Sequence, residues 1–320
     1  MLLRCLWYCI VDRPMRKVVW DMDPGIDDAL ALIWALKSPE IRIVGVTTVA
    51  GNASVEMTSA NARRVLEYFE IESIPVAAGA EHPLTRPLEH ALGYHGPDGL
   101  GNCGLPPPLL PLHPDKAWDF LARLVLDTPD EITLMATGPL TNVAHAFKLH
   151  PELPRHLASL VLMGGAYGLT PYGRGNRTPF AEFNIWQDPE AAAMVFGSTA
   201  NTFAVGLDVT MDPATCLNSH HLERVRMIDT RAARLVARLL EYEVEHHECC
   251  RMHDPLALAV LLDSSLLDFT LARVKAIEGN NRDRGMTRVL PSGSSELIRV
   301  ASAVDGPSFV DLFLSRITEE

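Results

Sequence analysis

Long apolar runs are missing from this 320-residue chain. The one apolar stretch near the N-terminus holds Leu2, Leu3, Leu6, Trp7, Tyr8, Cys9 and Ile10, broken by Arg4. It is short for a secretory core, and no small-x-small cleavage site follows it. It also falls far below the ~20 apolar residues that cross a bilayer, as does every later segment. Met15 is the plainer start, with Lys17-Val18-Val19-Trp20 opening a strand almost at once. Residues 1–14 are therefore expected to be an extension, and residues 15–320 a single domain. Basic charge is also short: 28 Lys and Arg face 40 Asp and Glu, for a net charge of −12. Such a surface repels phosphate backbones and anionic lipid, which excludes polymeric nucleic acid and membrane surfaces as partners. Nucleosides carry no phosphate and are not excluded. The six cysteines form no CxxC pair, and the adjacent Cys249-Cys250 cannot easily bond to each other. They read as reduced thiols of a cytoplasmic protein. His246-His247 with Cys249-Cys250 lacks the second half of a zinc set and reads as a helix end. No internal repeat, low-complexity tract or linker interrupts the chain.

What the chain does have is alternation. Short β-branched runs at 17–22, 41–49, 75–78, 132–136, 160–163 and 203–207 are separated by helical stretches at 27–37, 55–70, 115–126, 142–149 and 189–196. That rhythm predicts an α/β fold, a mostly parallel open β-sheet flanked by helices on both faces. Gly-rich loops are expected at 82–114 and 164–179, and one or two long helices at 220–250. Ligands of open parallel sheets bind beyond the carboxyl ends of the strands. Asp23, Asp27, Asp28, Asn52, Thr137, Asn176, Glu182 and Asn184 all fall at such ends.

Four carboxylates crowd into eight residues, Asp21-Met22-Asp23-Pro24-Gly25-Ile26-Asp27-Asp28. Pro24 and Gly25 make the turn from strand to helix. Capping of the helix start accounts for one or two of the aspartates, but not for four. Like charges this close raise one another's pKa unless a cation is present. An all-oxygen donor set points to calcium or magnesium, and calcium's looser geometry better suits a site that also holds substrate hydroxyls.

These residues resemble the inosine–uridine nucleoside hydrolase family. The opening matches its DxDPGxDD signature, and further strings follow in order: Val46–Asn52, His95-Gly96 with Gly99-Leu100-Gly101, and Ala136–Asn142. Then come Met163-Gly164-Gly165, Ala181–Asn184, Asp188–Ala192, Gly206–Thr210 and His253-Asp254-Pro255. The set covers nearly all of the chain from Lys17. The resemblance implies hydrolysis of the N-glycosidic bond of ribonucleosides, with Ca2+ as cofactor. It implies calcium ligation by Asp23, Asp28, Asp254 and the Thr137 carbonyl, and Asp23 as the base for a calcium-held water. It also implies that Asp27, Asn52, Asn184 and Asp254 bind the ribose, and that Asn176 and Glu182 take the 5′-hydroxyl end. His253 becomes the candidate acid for the leaving base, His95 a lining of the base pocket, and a homodimer or homotetramer the expected assembly.

The ordinary alternatives stand beside these roles. His253 could cap the helix that begins the apolar run Leu256–Leu262, Asn52 could be a turn residue after Gly51, and Thr137 could cap the next helix. Asp21 is expected to support the site from behind. Phe183 and Trp186 are expected in the core. Only Tyr242 stands where the family often has several tyrosines, with His246 or His247 as substitutes, which leaves base preference open. Two rival readings remain. One is a phosphohydrolase of the haloacid-dehalogenase type, which shares Asp-x-Asp at a strand end but needs a downstream lysine in a lysine-poor chain. The other is a non-catalytic ribose- or calcium-binding homologue.

Overall fold

A computed structural model describes residues 15–293 and 296–319; the expected extension, residues 1–14, lies outside the described residues. The first strand, β1 (Arg16–Met22), is followed by α1 (Ile26–Leu36), β2 (Ile41–Thr48), α2 (Val55–Tyr68) and β3 (Val76–Ala78). A short helix α3 (Leu92–His95) interrupts the expected loop before α4 (Ala117–Asp127), β4 (Ile132–Ala136), α5 (Thr141–Leu149) and β5 (Ser159–Met163). Next come α6 (Phe183–Gln187), α7 (Pro189–Phe196), β6 (Thr202–Val205) and α8 (Leu207–Thr210). The 220–250 stretch resolves into two helices, α9 (Ser219–Arg226) and α10 (Arg231–His246). Thr230 separates them, accepting the amide of Ala233 on its side chain as the N-cap of α10. The chain closes with α11 (His253–Leu262), β7 (Leu267–Ala276), β8 (Thr287–Leu290), β9 (Ile298–Val304) and α12 (Gly306–Thr318).

The strands form one nine-stranded sheet among the described residues, in the order β3-β2-β1-β4-β5-β6-β9-β7-β8. Every pairing from β3 through β9 is parallel; β7 then pairs antiparallel with both β9 and β8. Side chains alternate across β1, so the strand feeds two cores. Val18, Trp20 and Met22 pack with α1, α2, α10, α11 and α12, while Val19 packs with β4, α4, α5 and α7. Burial on both faces explains why these strands read as unbroken apolar runs. Trp34 of α1 makes edge contacts with Phe309 and Phe313 at 5.7 and 5.5 Å, which fixes α12 against the core.

This order has a consequence for function. The strand sequence runs outward from β1 to β3 in one direction and from β4 to β6 in the other, so the crossovers reverse between β1 and β4. A parallel sheet opens a crevice at that reversal, beyond its carboxyl ends. Asp21, Asp23 and Thr137 stand there, and the Thr137 amide donates to the Asp21 carbonyl across the gap (2.9 Å).

Candidate active site

The carboxylates at the crevice are held by their neighbours in distinct ways. Asp21 is fully buried and accepts from the Thr47 hydroxyl (2.6 Å) and the Asn142 amide (2.8 Å) through Oδ1. It ties β1, β2 and α5 together beneath the crevice, the supporting place expected of it. Asp23 accepts the backbone amide of Asn52 on Oδ2 (2.7 Å), and the Asn52 side-chain amide donates to the Asp23 carbonyl (3.1 Å). Two loops press on this carboxylate so closely that only glycine fits. A Cβ at Gly51 would lie 2.1 Å from Oδ2, and one at Gly138 would lie 2.7 Å from Oδ1. Asp28, in the first turn of α1, accepts from the Thr137 hydroxyl (2.7 Å) and from the Gly25 amide (3.2 Å). Asp254 reaches the same point from the first turn of α11.

Together these elements bring carboxylate oxygens of Asp27, Asp28 and Asp254 within 4.8 Å of one another, all buried. Asp23 lies close enough to raise the pKa of Asp254 by its charge. Among the described residues, no Lys or Arg forms an ion pair with them, and none stands among the charges that set their pKa values. Burial pushes Asp28 up to about 8, with the charge of Asp27 adding to it, and pushes Asp27 up to about 6. Burial likewise lifts Asp23 and Asp254 well above the ordinary carboxylate range, with the neighbouring carboxylates adding to it. Asp23 Oδ1 and Asp27 Oδ1 are buried without a hydrogen-bond partner. Unpartnered buried carboxylate oxygens in an all-oxygen cluster are the donor set a hard divalent cation takes.

Above the cluster opens a cavity of about 410 Å³, within the range of small-molecule sites. Asp27, Asn52, Thr137, Met163, Asn184 and Asp254 line one part of it. Asn184 donates to the Thr137 carbonyl (2.8 Å), so the residue expected on ribose and the carbonyl expected on the cation are already in contact. A second part is lined by Asn176, Arg177, Glu182 and Phe183. Glu182 is the N-cap of α6: it accepts the amides of Asn184 and Ile185 and also that of Gly165. Asn176 is exposed and accepts the Phe183 amide (3.0 Å). A third part is lined by Tyr94, His95, Met211, Arg251 and His253. His95 accepts the Ile26 amide on Nδ1 (3.2 Å), and its burial pushes it down to about 3. His253 is hydrogen-bonded through Nδ1 to the Thr210 hydroxyl (2.8 Å); burial, with the charge of Arg251, pushes it down to about 4.

Every residue expected at the site therefore lies on this cavity or at its carboxylate floor. Two expectations need correction. Phe183 is half-buried and lines the cavity rather than the core. Trp186 is also half-buried, flanked by the guanidinium groups of Arg177 and Arg284 at 4.3 and 4.5 Å from its ring. Both stand on the short helix α6, against which Asn176 and Arg177 of the 164–179 loop are packed. Sequence reasoning missed Tyr94, Met211 and Arg251. Tyr94 takes the aromatic place sought at Tyr242: it lines the cavity and stacks on His247 (4.2 Å), while Tyr242 stacks on His246 away from it. The tyrosine at the site thus belongs to α3, which no periodicity marks. No described helix is long and apolar enough to cross a membrane.

Comparison with known proteins agrees with this geometry. A sequence model described as inosine-uridine preferring nucleoside hydrolase matches residues 18–311. The pyrimidine-specific ribonucleoside hydrolase RihA of Salmonella arizonae is 38% identical over 311 residues, covering 94% of this chain and 97% of that protein. RihA of Citrobacter koseri is equally similar, at 38% over 311 residues and with the same coverage of both chains. Among solved structures, the plant nucleoside hydrolase PpNRh1 superposes with a TM-score of 0.89 at 30% identity, over 96% of this chain and 100% of that one. A purine-preferring ribonucleoside hydrolase from Gardnerella vaginalis gives 0.87 at 30% identity, over 95% and 98%. From these matches across nearly its whole length, the chain belongs to the inosine-uridine preferring nucleoside hydrolase family and is a nucleoside hydrolase.

Proposed function

We propose that this chain hydrolyses the N-glycosidic bond of ribonucleosides to free base and ribose, with calcium held by Asp23, Asp28, Asp254 and the Thr137 carbonyl. The observation that carries this reading is the buried, uncompensated carboxylate cluster at the floor of the cavity, flanked by Asn52 and Asn184. When bound there, the cation neutralises the cluster and lowers the pKa of a water. Asp23 is the general base: its Oδ1 has no partner, so that oxygen is free to accept a proton. Asp27, Asn52, Asn184 and Asp254 bind the ribose hydroxyls, and Asn176 and Glu182 face the 5′ end. The ribose becomes positive as the bond breaks, in an oxocarbenium-like transition state. Fixed carboxylates close to it favour that charge more than they favour the neutral substrate. His95 lines the base pocket, and His253, held through Nδ1 by the Thr210 hydroxyl, faces the base as its candidate acid. A homodimer or homotetramer in the cytoplasm completes the reading, as the family resemblance and the absence of any CxxC pair suggest.

Uridine and cytidine are the first substrates to try, because the 38%-identical relatives are named pyrimidine-specific. A panel of pyrimidine and purine ribosides is scored for released ribose, with chelator and with calcium restored. Cleavage lost with chelator and regained with calcium is expected. No release from any riboside sinks the reading, and chelator-insensitive release removes the metal from it.

A further inference from the structure

Base departure leaves a negative charge to be accommodated, and the cavity holds a group suited to it that the reading above does not use. When the C1′–N bond breaks, both of its electrons go to the base nitrogen. The water oxygen bonds to C1′, and its proton goes to Asp23. Negative charge builds on the base before the candidate acid His253 protonates it; His253 then regains a proton from solvent as Asp23 releases its own. In a pyrimidine the charge on N1 spreads onto the adjacent carbonyl oxygen. A purine has no carbonyl beside its glycosidic nitrogen.

Two permanent cations line the cavity, Arg177 and Arg251. Arg177 is committed elsewhere: it pairs with Glu89 and lies over the Trp186 ring. Arg251 is not. Its Nη1 donates one long bond to the Met211 carbonyl (3.4 Å), and no ion pair to a carboxylate forms among the described residues. It stands on the same part of the wall as Tyr94 and His253. The segment that carries it is fixed at both ends. Leu217 and Cys250 exchange two backbone hydrogen bonds of 3.0 and 2.7 Å, and α11 begins at His253. A partly buried guanidinium with unused donors, on a held backbone, is preorganised for an anion that appears only as the reaction proceeds.

We propose that Arg251 is a catalytic residue that hydrogen-bonds the departing base and takes up its charge, favouring bases with a carbonyl next to the glycosidic nitrogen. The inference rests on the proposed hydrolysis. Its test is leaving-group dependence. Wild type, Arg251→Gln and Arg251→Lys are compared on uridine, inosine and p-nitrophenyl riboside, whose phenolate departs without help. Loss of one preorganised donor costs about 10²–10³-fold in kcat. Arg251→Gln is therefore expected to lose about 10²-fold in kcat on uridine, with KM little changed, and less than about tenfold on the p-nitrophenyl riboside. Inosine is expected to suffer less than uridine, and Arg251→Lys to recover part of the uridine rate. Unchanged uridine turnover overturns the proposal. So does an equal loss on all three substrates in variants that melt like the wild type. A wild-type protein inert on all three sinks the hydrolase reading itself, an outcome separate from either.

Discussion

Asp23 owes its position to two residues without side chains. Gly51 and Gly138 come from loops after different strands, and both lie against the carboxylate at less than contact distance for any Cβ. Gly51→Ala is therefore expected to displace Asp23 and abolish riboside turnover, with a stability loss of about 1–3 kcal/mol from overpacking. Gly138→Ala, with the longer approach, should be the milder of the two. Ribose-release rates and thermal melts of both variants check this, and wild-type turnover in Gly51→Ala would remove the steric argument. At this scale the sequence was legible wherever residue types were improbable by chance. Four aspartates in eight residues announce a cation, and His253-Asp254-Pro255 announces a site at a helix start. Tyr94 and Arg251 were illegible for the opposite reason. They are ordinary residues in connecting segments, and only the tertiary packing turns them toward the cavity.

Among the elements, α6 shows how one residue can serve the fold and the site at once. Glu182 caps the helix that carries Asn184, and its two oxygens are shared among three backbone amides. Glu182→Ala is expected to cost about 0.5–2 kcal/mol through the lost cap. It should also raise KM for ribosides, because Asn184 loses the turn that aims it. Melting temperature and KM moving together is the expected signature; a shift in KM alone would make Glu182 a substrate contact only. The parallel strands β1 to β6 were readable because strands covered on both faces are apolar throughout. The antiparallel end of the sheet was not. β7 alternates in two halves that are out of phase, Leu267 to Leu271 and then Ala272 to Ala276, and its pairing with β9 shifts register between Asp268 and Phe269, so no single two-fold pattern spans the strand. The division of 220–250 into α9 and α10 depends on the Thr230 cap, a local signal that the long amphipathic pattern conceals.

For the whole molecule, the carboxylate cluster couples stability to pH and to metal. Burial pushes Asp21 up to about 7, Asp28 to about 8 and Glu243, within reach of the Asp27 charge, also to about 8. In the unfolded chain such groups ionise near 4. Between about pH 4 and 8 the metal-free folded chain retains protons that the unfolded chain has released, so its stability falls as pH rises through that window. A bound cation takes the place of the cluster's protons and removes part of this dependence. In chelator, the melting temperature is expected to drop from about pH 5 to pH 8.5. Added calcium should raise it more at the higher pH, by about 2.7 kcal/mol of stability at a hundredfold excess over Kd. Melts with and without calcium at both pH values decide this. A flat profile in chelator would mean that the buried acids are paid for by contacts other than a cation.

The cavity wall is made of two kinds of material, and that difference bears on how such proteins diverge. The part proposed for the ribose is strand ends and helix starts, where Asp27, Thr137 and Asp254 are buried at the ends of elements that pack in the cores. The part proposed for the base is connecting chain, with Tyr94 on a one-turn helix and Arg251 between α10 and α11. Substitutions in the first part disturb folding and chemistry together, so few can survive selection. Substitutions in the second change which base fits while leaving the scaffold intact. One lineage can therefore explore new nucleobases by single steps through functional intermediates, and pyrimidine-specific and purine-preferring descendants of a common ancestor are its natural outcome.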